Sequence, residues 1–481
     1  MATIIGRDDE VKRINELYDS KKAQLVAIYG RRRVGKTYLV DESLKGKITF
    51  RHAGLSPVDE KGQANMLPDQ LRHFYQSLIL HGMKKSRRPD SWLEAFFMLE
   101  QWLQSIDDGR RQVVFLDELP WMDTPRSKFI TAFEAFWNNW ACHRDNIMVV
   151  VCGSATSWIE NKLINNHGGL YGRITCEIKL SPFTLRECEL FFNSNEVHLS
   201  RYDIVQSNMI VGGIPYYLQY FTKGRSLAQN IDALFFAKNA VLKTEYDRLF
   251  ASVFSHPEEI KKIVELLAGR RGGYTRKEII EKLDWDDNGA VSKRLSTLIA
   301  SDFIIDYLPL GSKKREVCYK LIDPFCLFYL KFVKEQNALE NDFWLTNVTS
   351  QRISSWRGYA FEEVCLRHIQ QIKRALGISG VSTRQSAWLV KGNDEADGTQ
   401  ADLIIERKDG VVNLCEIKFY NDTFCVNKSY ERILVGRYNR LTEMIAKRQA
   451  VSPVLITTFG LCYNEYSGTF QNVITMDELF E

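Results

Sequence analysis

The chain has 481 residues, enough for about three domains of the usual 100–200 residues. Hydrophobic residues make up 45% and charged residues 26%, which excludes a disordered or collagen-like chain and leaves ample material for buried cores. Sixty-four basic against 60 acidic residues give a net charge of +4, which neither demands a nucleic-acid partner nor excludes one.

No apolar run approaches transmembrane length, and the start, Met1 to Arg7, has no secretory apolar stretch, so no membrane association is expected. Ten cysteines are scattered from Cys142 to Cys462 without a C-x-x-C pair. That pattern argues against a zinc ribbon and a disulfide framework; it leads us to expect reduced, buried thiols in a cytoplasmic protein.

In chain order, Val11, Ile14 and Leu17 recur at helical spacing after Gly6-Arg7-Asp8-Asp9-Glu10. The apolar run Leu25–Tyr29 reads as a strand. It feeds Gly30-Arg31-Arg32-Arg33-Val34-Gly35-Lys36-Thr37, a full match to the phosphate-binding pattern G-x-x-x-x-G-K-[ST], and Tyr38-Leu39-Val40 continues as a helix. A strand, a glycine loop and a helix N-terminus aim backbone N–H groups and the positive end of the helix dipole at an anion. Gly30 and Gly35 let the backbone curl around phosphate oxygens. Lys36 is expected to reach the β- and γ-phosphates of ATP, and the Thr37 hydroxyl to ligate Mg2+.

Ile48–Ala53 reads as a second strand, and residues 64–82 and 91–106 as helices. The run from Arg110 ends in Val113-Val114-Phe115-Leu116-Asp117-Glu118. A buried parallel strand presents carboxylates in this way at its C-terminal edge, where ligands of open α/β sheets bind. Asp117 is expected to hold the magnesium shell, and Glu118 to polarise the attacking water. A further strand, Asn146–Cys152, precedes Ser154, which senses the γ-phosphate or orients the water, or else caps the next helix. Arg173 precedes a fifth strand, Thr175–Leu180. It is an arginine finger, in cis or from a neighbouring subunit, or else a surface arginine.

These motifs, with Leu170–Arg173, Leu180-Ser181-Pro182-Phe183, Glu187 and Gly212-Gly213-Ile214-Pro215-Tyr216-Tyr217, resemble the archaeal-type STAND ATPases, relatives of the AAA+ group. The resemblance spans at least residues 1–335. It implies a five-stranded core over 1–182, a helical lid over 183–255 and a winged helix over 256–335. It also implies that Ile5, Gly6 and Pro215 lie near the adenine, that Arg173 is a γ-phosphate sensor or finger, and that the nucleotide works as a switch.

Residues 257–269, 275–283 and 288–300 read as three helices. Strands over 302–308 and 316–322 flank the basic tip Gly311-Ser312-Lys313-Lys314-Arg315. Three helices and a basic hairpin describe a winged helix-turn-helix, with Lys293 and Arg294 on its third helix. Fifteen basic against 13 acidic residues over 256–335 make DNA contact by Lys313–Arg315 one reading and a structural reporter of nucleotide state the other.

Beyond Lys334, residues 336–350 read as a helical connection. Gly358–Gln371 then forms an amphipathic helix with Phe361, Val364, Cys365, His368, Ile369 and Ile372 on one stripe. On that wheel Glu362 sits on the flank of the stripe and Glu363 points to solvent, while His368 is a core residue. Asp402 lies in one strand, and Glu416 and Lys418 share a face of the next, across a Lys408-Asp409-Gly410 turn. Two carboxylates and a lysine among Leu, Ile and Val need a reason, since buried unpaired charge is costly. A Mg2+ or Mn2+ ion held by Asp402 and Glu416 supplies one, with Lys418 orienting water or offsetting charge at a scissile phosphate. The other reading is a half-exposed hairpin with surface ion pairs.

Residues 352–460 resemble the PD-(D/E)xK nucleases, most closely the Holliday-junction-resolvase-like branch, with Ala401 in place of the motif's proline. The resemblance implies a C-terminal α/β restriction-endonuclease-like domain over 336–481 in which Glu362 adds a further carboxylate. Sixteen basic against 18 acidic residues there offer no strong attraction for DNA. The expected whole is an α/β protein: a P-loop parallel sheet with helical lid, a winged helix, and a metal-dependent nuclease domain gated by ATP hydrolysis. DNA is the expected partner and a homo-oligomer is possible; a role in defence or mobile elements rests on analogy. The competing reading is a nucleotide-switched scaffold with an inactive nuclease fold; a motor has less support, since no helicase-type motifs occur.

Overall fold

In the computed structural model, which describes residues 4–57, 63–165, 167–251, 254, 256–310, 316–334, 341–390 and 399–481, the N-terminal sheet has five parallel strands. These are β1 (Gln24–Tyr29), β2 (Ile48–Ala53), β3 (Gln112–Asp117), β4 (Ile147–Gly153) and β5 (Cys176–Lys179), in the order β2-β3-β4-β1-β5. The central strands β1, β3 and β4 are buried at every position, which is why their sequences run apolar without alternation. The helices Trp92–Ser105 and Phe129–Asn139 cover one face with an aromatic cluster in which the Trp92 and Phe129 ring centroids lie 5.0 Å apart. The sheet and its helices form one unit, Met1–Pro182 with Ala251–Ser255.

The second unit comprises Phe183–Phe250 and His256–Glu481. Its first helix, Leu185–Ser194, opens on a reciprocal cap between Thr184 and Glu187, so Glu187 fixes a helix start. The helix Arg201–Val211 stops at Gly212 in the left-handed region (φ 71°). At Gly213 a Cβ would stand 2.3 Å from the Phe183 carbonyl oxygen, so only glycine fits there.

Helices Pro257–Ala268, Arg276–Leu283 and Gly289–Ala300 then lead into β7 (Ile304–Tyr307) and β8 (Cys318–Leu321). A two-residue strand that periodicity does not reveal, β6 (Tyr274–Thr275), completes the sheet in the order β6-β8-β7. The tip carrying Lys313–Arg315 lies outside the described residues.

The last sheet has the order β13-β12-β11-β10-β9, built from β9 (Thr383–Val390), β10 (Thr399–Arg407), β11 (Val411–Lys418), β12 (Ala450–Thr457) and β13 (Asn472–Ile474). β9, β10 and β11 are antiparallel, whereas β11, β12 and β13 are parallel. The helix Lys428–Met444 makes the crossover between parallel β11 and β12. Gly410, in the left-handed region at φ 89°, closes the β10–β11 turn.

Two sequence expectations change here. The helix expected over Gly358–Gln371 is two helices, Gln351–Arg367 and Ile369–Ala375, broken at His368. His368 is buried as expected; its Nε2 accepts the Leu185 N–H at 3.0 Å and its Nδ1 donates to the Val364 carbonyl at 2.8 Å. Glu363 does not point to solvent: it is buried and paired at 2.5 Å with Lys320 of β8. A helical wheel registers only the apolar stripe, and β8 packing beside it lies outside any local pattern.

Candidate functional site

The phosphate loop leaves β1 at Gly30, whose φ of 138° and whose missing Cβ both matter. A Cβ there would stand 2.3 Å from the Leu180 carbonyl oxygen. Gly35, at φ 91°, precedes the helix Lys36–Ser43, and a Cβ there would meet nothing within 4 Å, leaving open space on the cradle side. The Lys36 ammonium is folded into the loop, donating to the carbonyls of Gly30 and Arg31, each at 2.9 Å. Burial pushes its pKa down, opposed by Glu118 and Asp117. A phosphate in the loop gives that ammonium an anionic partner in place of the two carbonyls.

At the end of β3 the two acids divide the work. Thr37 Oγ1 donates to Asp117 Oδ2 at 2.9 Å, and burial with neighbouring Glu118 pushes the Asp117 carboxyl up. Hydroxyl and carboxylate oxygens suit Mg2+, so Thr37 and Asp117 would hold it. Glu118 takes the left-handed conformation (φ 45°), and its Oε2 accepts from Ser154 Oγ at 2.9 Å and Ser154 N at 3.1 Å. Ser154 does not cap the next helix, whose N-cap is Ala155; its hydroxyl and its N–H both donate to Glu118.

Over residues 4–221 the chain matches the family model of an ATPase domain found predominantly in Archaea. A P-loop ATPase core occupies the first unit. An uncharacterized protein of Methanocaldococcus jannaschii is 23% identical over 395 residues, covering 81% of this chain and 82% of that protein. Among solved structures, a Walker-type ATPase of Pyrococcus abyssi is 17% identical, covers 68% of this chain and 96% of its own, and superposes with a TM-score of 0.47. The ORC2 protein of Aeropyrum pernix, in its ADPNP–ADP complexes, is 13% identical over 72% of this chain and 96% of its own, with a TM-score of 0.42.

Within the ATPase core, Gly6 has φ 62° and neighbours Arg7, whose guanidinium donates to the Ser181 carbonyl at 2.6 Å and pins Ile5 and Gly6 near the exit of β5. Pro215 belongs to the second unit, where it opens the helix Pro215–Leu218. Arg173 is exposed in the turn before β5. Thr175 N–H bonds the Leu25 carbonyl and Val26 pairs with Cys176, so the chain enters β5 at the edge where β1 begins. Gly30 lies at the other edge, about 15 Å along the strand.

In the C-terminal sheet, β10 and β11 pair through Leu403 and Cys415, which brings Asp402 and Glu416 opposite each other one step further. Asp402 Oδ2 accepts the Ile417 N–H at 3.1 Å. Glu416 pairs with Lys418 at 2.6 Å and also bonds Tyr430 and Arg437 of the following helix. Tyr430 and Arg437 escaped the sequence reading, although their seven-residue spacing, two helical turns, puts both on one face.

The charges are uneven. Burial would raise Glu416, but Lys418 and Arg437 hold it below the ordinary carboxylate range. Burial also opposes the Lys418 ammonium, yet Glu416 keeps it above its usual value. Glu362 lacks such compensation: burial and the Asp402 carboxylate push it up to about 8, against weaker attraction from Lys320 and Arg271. Asp402 rises too, through burial and Glu416.

Among the described residues no three His, Cys, Asp or Glu side chains stand ready around a metal. Asp402 and Glu362 suit a hard divalent cation, which would relieve their repulsion. Glu416 suits one by giving up its Arg437 and Tyr430 partners.

Proposed function

We propose that the chain binds and hydrolyses ATP and that the nucleotide state governs metal-dependent DNA cleavage by the C-terminal sheet. The observation that carries the ATPase half is the paired arrangement at the end of β3: Asp117 on the Thr37 hydroxyl and Glu118 on Ser154. Lys36 neutralises the β- and γ-phosphates, Thr37 and Asp117 hold Mg2+, and Glu118 orients and deprotonates the attacking water while Ser154 fixes its angle. Ile5 and Gly6 contact the adenine. Arg173, at the sheet edge opposite its own loop, serves a neighbouring subunit in a homo-oligomer.

The nuclease half rests on Glu362 and Asp402, two like charges forced together in a partly buried place with a lysine close by. Asp402 and Glu416 would hold Mg2+ or Mn2+, with Glu362 tuning its affinity or joining a second ion; the metal would supply an activated water and offset phosphate charge. Lys418 orients the water or the scissile phosphate. The segment 256–334 contributes DNA contacts. The saturated state of Glu416 favours the competing reading, a nucleotide-switched scaffold whose sheet only binds.

One experiment separates the two. Purified protein is incubated with supercoiled, linear and branched DNA, with Mg2+ or Mn2+, with and without ATP. Metal-dependent cleavage that changes with ATP is expected. ATP hydrolysis with no cleavage of any DNA leaves the scaffold, and no hydrolysis at all removes the ATPase reading.

A further inference from the structure

The cysteines are not all buried. Cys152, Cys176, Cys188, Cys326, Cys365 and Cys415 are, but Cys425 is exposed and Cys462 half-exposed. These two come together through an isolated parallel bridge, Phe424 to Leu461. Phe424 N–H donates to the Gly460 carbonyl at 2.8 Å, and Cys462 N–H donates to the Phe424 carbonyl at 2.9 Å. Residues one step past a parallel bridge stand side by side and turn the same way. Adjacent strands lie about 4.8 Å apart, inside the Cα separation of roughly 4.4–6.8 Å that a disulfide accepts. The two thiols are within hydrogen-bonding reach of each other, which also pushes the Cys425 pKa up.

We infer that Cys425 and Cys462 form a reversible dithiol–disulfide site that takes small-molecule disulfides as its oxidant. One thiolate attacks a sulfur of the small disulfide, forming a mixed disulfide and releasing one small thiol. The other cysteine, deprotonated, attacks the protein-side sulfur of that mixed disulfide, forming Cys425–Cys462 and releasing the second small thiol. Two protein thiols are oxidised and one disulfide is reduced, so electrons and protons balance. A metal is not the better reading, because among the described residues no third ligand joins the pair.

The closed loop, residues 425–462, contains the helix Lys428–Met444 and β12. The bridge therefore ties the start of the helix that carries Tyr430 and Arg437 to the end of β12. Both side chains hold Glu416, so oxidation stiffens the surroundings of that carboxylate whether or not the sheet cleaves DNA. Isolated exposed thiols stop at the mixed disulfide; a resolving neighbour is what converts one into a sensor.

The test uses the full-length protein in oxidised-to-reduced glutathione mixtures, quenched by alkylation and digested with trypsin. Cleavage at lysine and arginine leaves peptides 419–428 and 449–481, each with a single cysteine. A linked pair of these peptides, lost on reduction, is the expected result, with native thiol titration falling by two per chain. Cys462→Ser should instead retain glutathione on Cys425, as should the milder Cys462→Ala. Glutathione retained on wild-type Cys425 without the linked peptide, or no modification at either cysteine, overturns the inference.

Discussion

Thr37 Oγ1 and Asp117 Oδ2 stand 2.9 Å apart although 80 residues separate them in the chain. The contact exists because β1 and β3 flank β4 in one parallel sheet, so both chain ends leave at the same edge. It brings the loop's hydroxyl to the strand's carboxylate before any ion arrives. Preorganisation of this kind reduces the reorganisation that binding would otherwise require.

Lys36→Ala should abolish ATP binding, measured by titration calorimetry. Glu118→Gln should bind ATP but hydrolyse it ~100-fold or more slowly, the usual loss for a general base. Ser154→Ala should lower kcat by about tenfold with KM unchanged, because Ser154 holds Glu118 through two hydrogen bonds. A Ser154→Ala enzyme with altered KM and normal kcat would assign the serine to nucleotide binding instead.

Arg173→Ala should slow turnover by about a thousandfold with ATP affinity retained, as arginine fingers do. Since Arg173 lies at the sheet edge opposite its own loop, mixing Arg173→Ala with Lys36→Ala protein should restore part of the activity. Mixtures that stay inactive, together with a monomer by light scattering, would rule out the trans role.

Lys320 and Glu363 make a buried ion pair at 2.5 Å, and burial alone would lower the lysine. Removing one partner strands the other, so Lys320→Met should destabilise the second unit by about 3 kcal/mol. The double substitution Lys320→Met, Glu363→Leu should recover most of that loss. Denaturant midpoints of the three proteins supply the comparison, and additive losses would show that the charges are solvated.

The folded-state pKa of Glu362, about 8, exceeds its ordinary 4.5. Between those values the folded protein holds more protons than the unfolded chain, so stability falls as pH rises from 4.5 to 8. His368 has the opposite sign: lowered from 6.5 to about 4, it costs stability as pH falls through that window. Glu362→Gln should raise stability at pH 8 by about 4 kcal/mol and change little at pH 4.5. Unfolding curves at the two pH values check this. Equal effects at both would mean that neither burial nor Asp402 raises Glu362.

If the C-terminal sheet cleaves DNA, Asp402→Asn and Glu416→Gln should each lose Mn2+-dependent thermal stabilisation together with cleavage. Lys418→Ala should keep the stabilisation and lose cleavage. Cleavage that survives the double change at Asp402 and Glu416 would place the chemistry elsewhere.

The sequence by itself determined the ATPase core. The loop Gly30–Thr37 and the run ending in Asp117-Glu118 are local patterns, since fully buried parallel strands must be apolar and phosphate loops must contain glycine at fixed steps. The β10–β11 hairpin and the shared face of Glu416 and Lys418 were equally legible, because a short turn fixes register. Tertiary structure decided the rest. For Ser154 the helix-cap reading falls away in space, where the ends of β3 and β4 bring it to Glu118. Glu363 reads as a solvent residue until β8 supplies Lys320. Glu416 reads as a carboxylate with Asp402 and Lys418 for company, and only the helix Lys428–Met444 adds Tyr430 and Arg437 to its partners. In each case the deciding partner comes from a distant element, and no periodicity within a segment carries the charge of its neighbour.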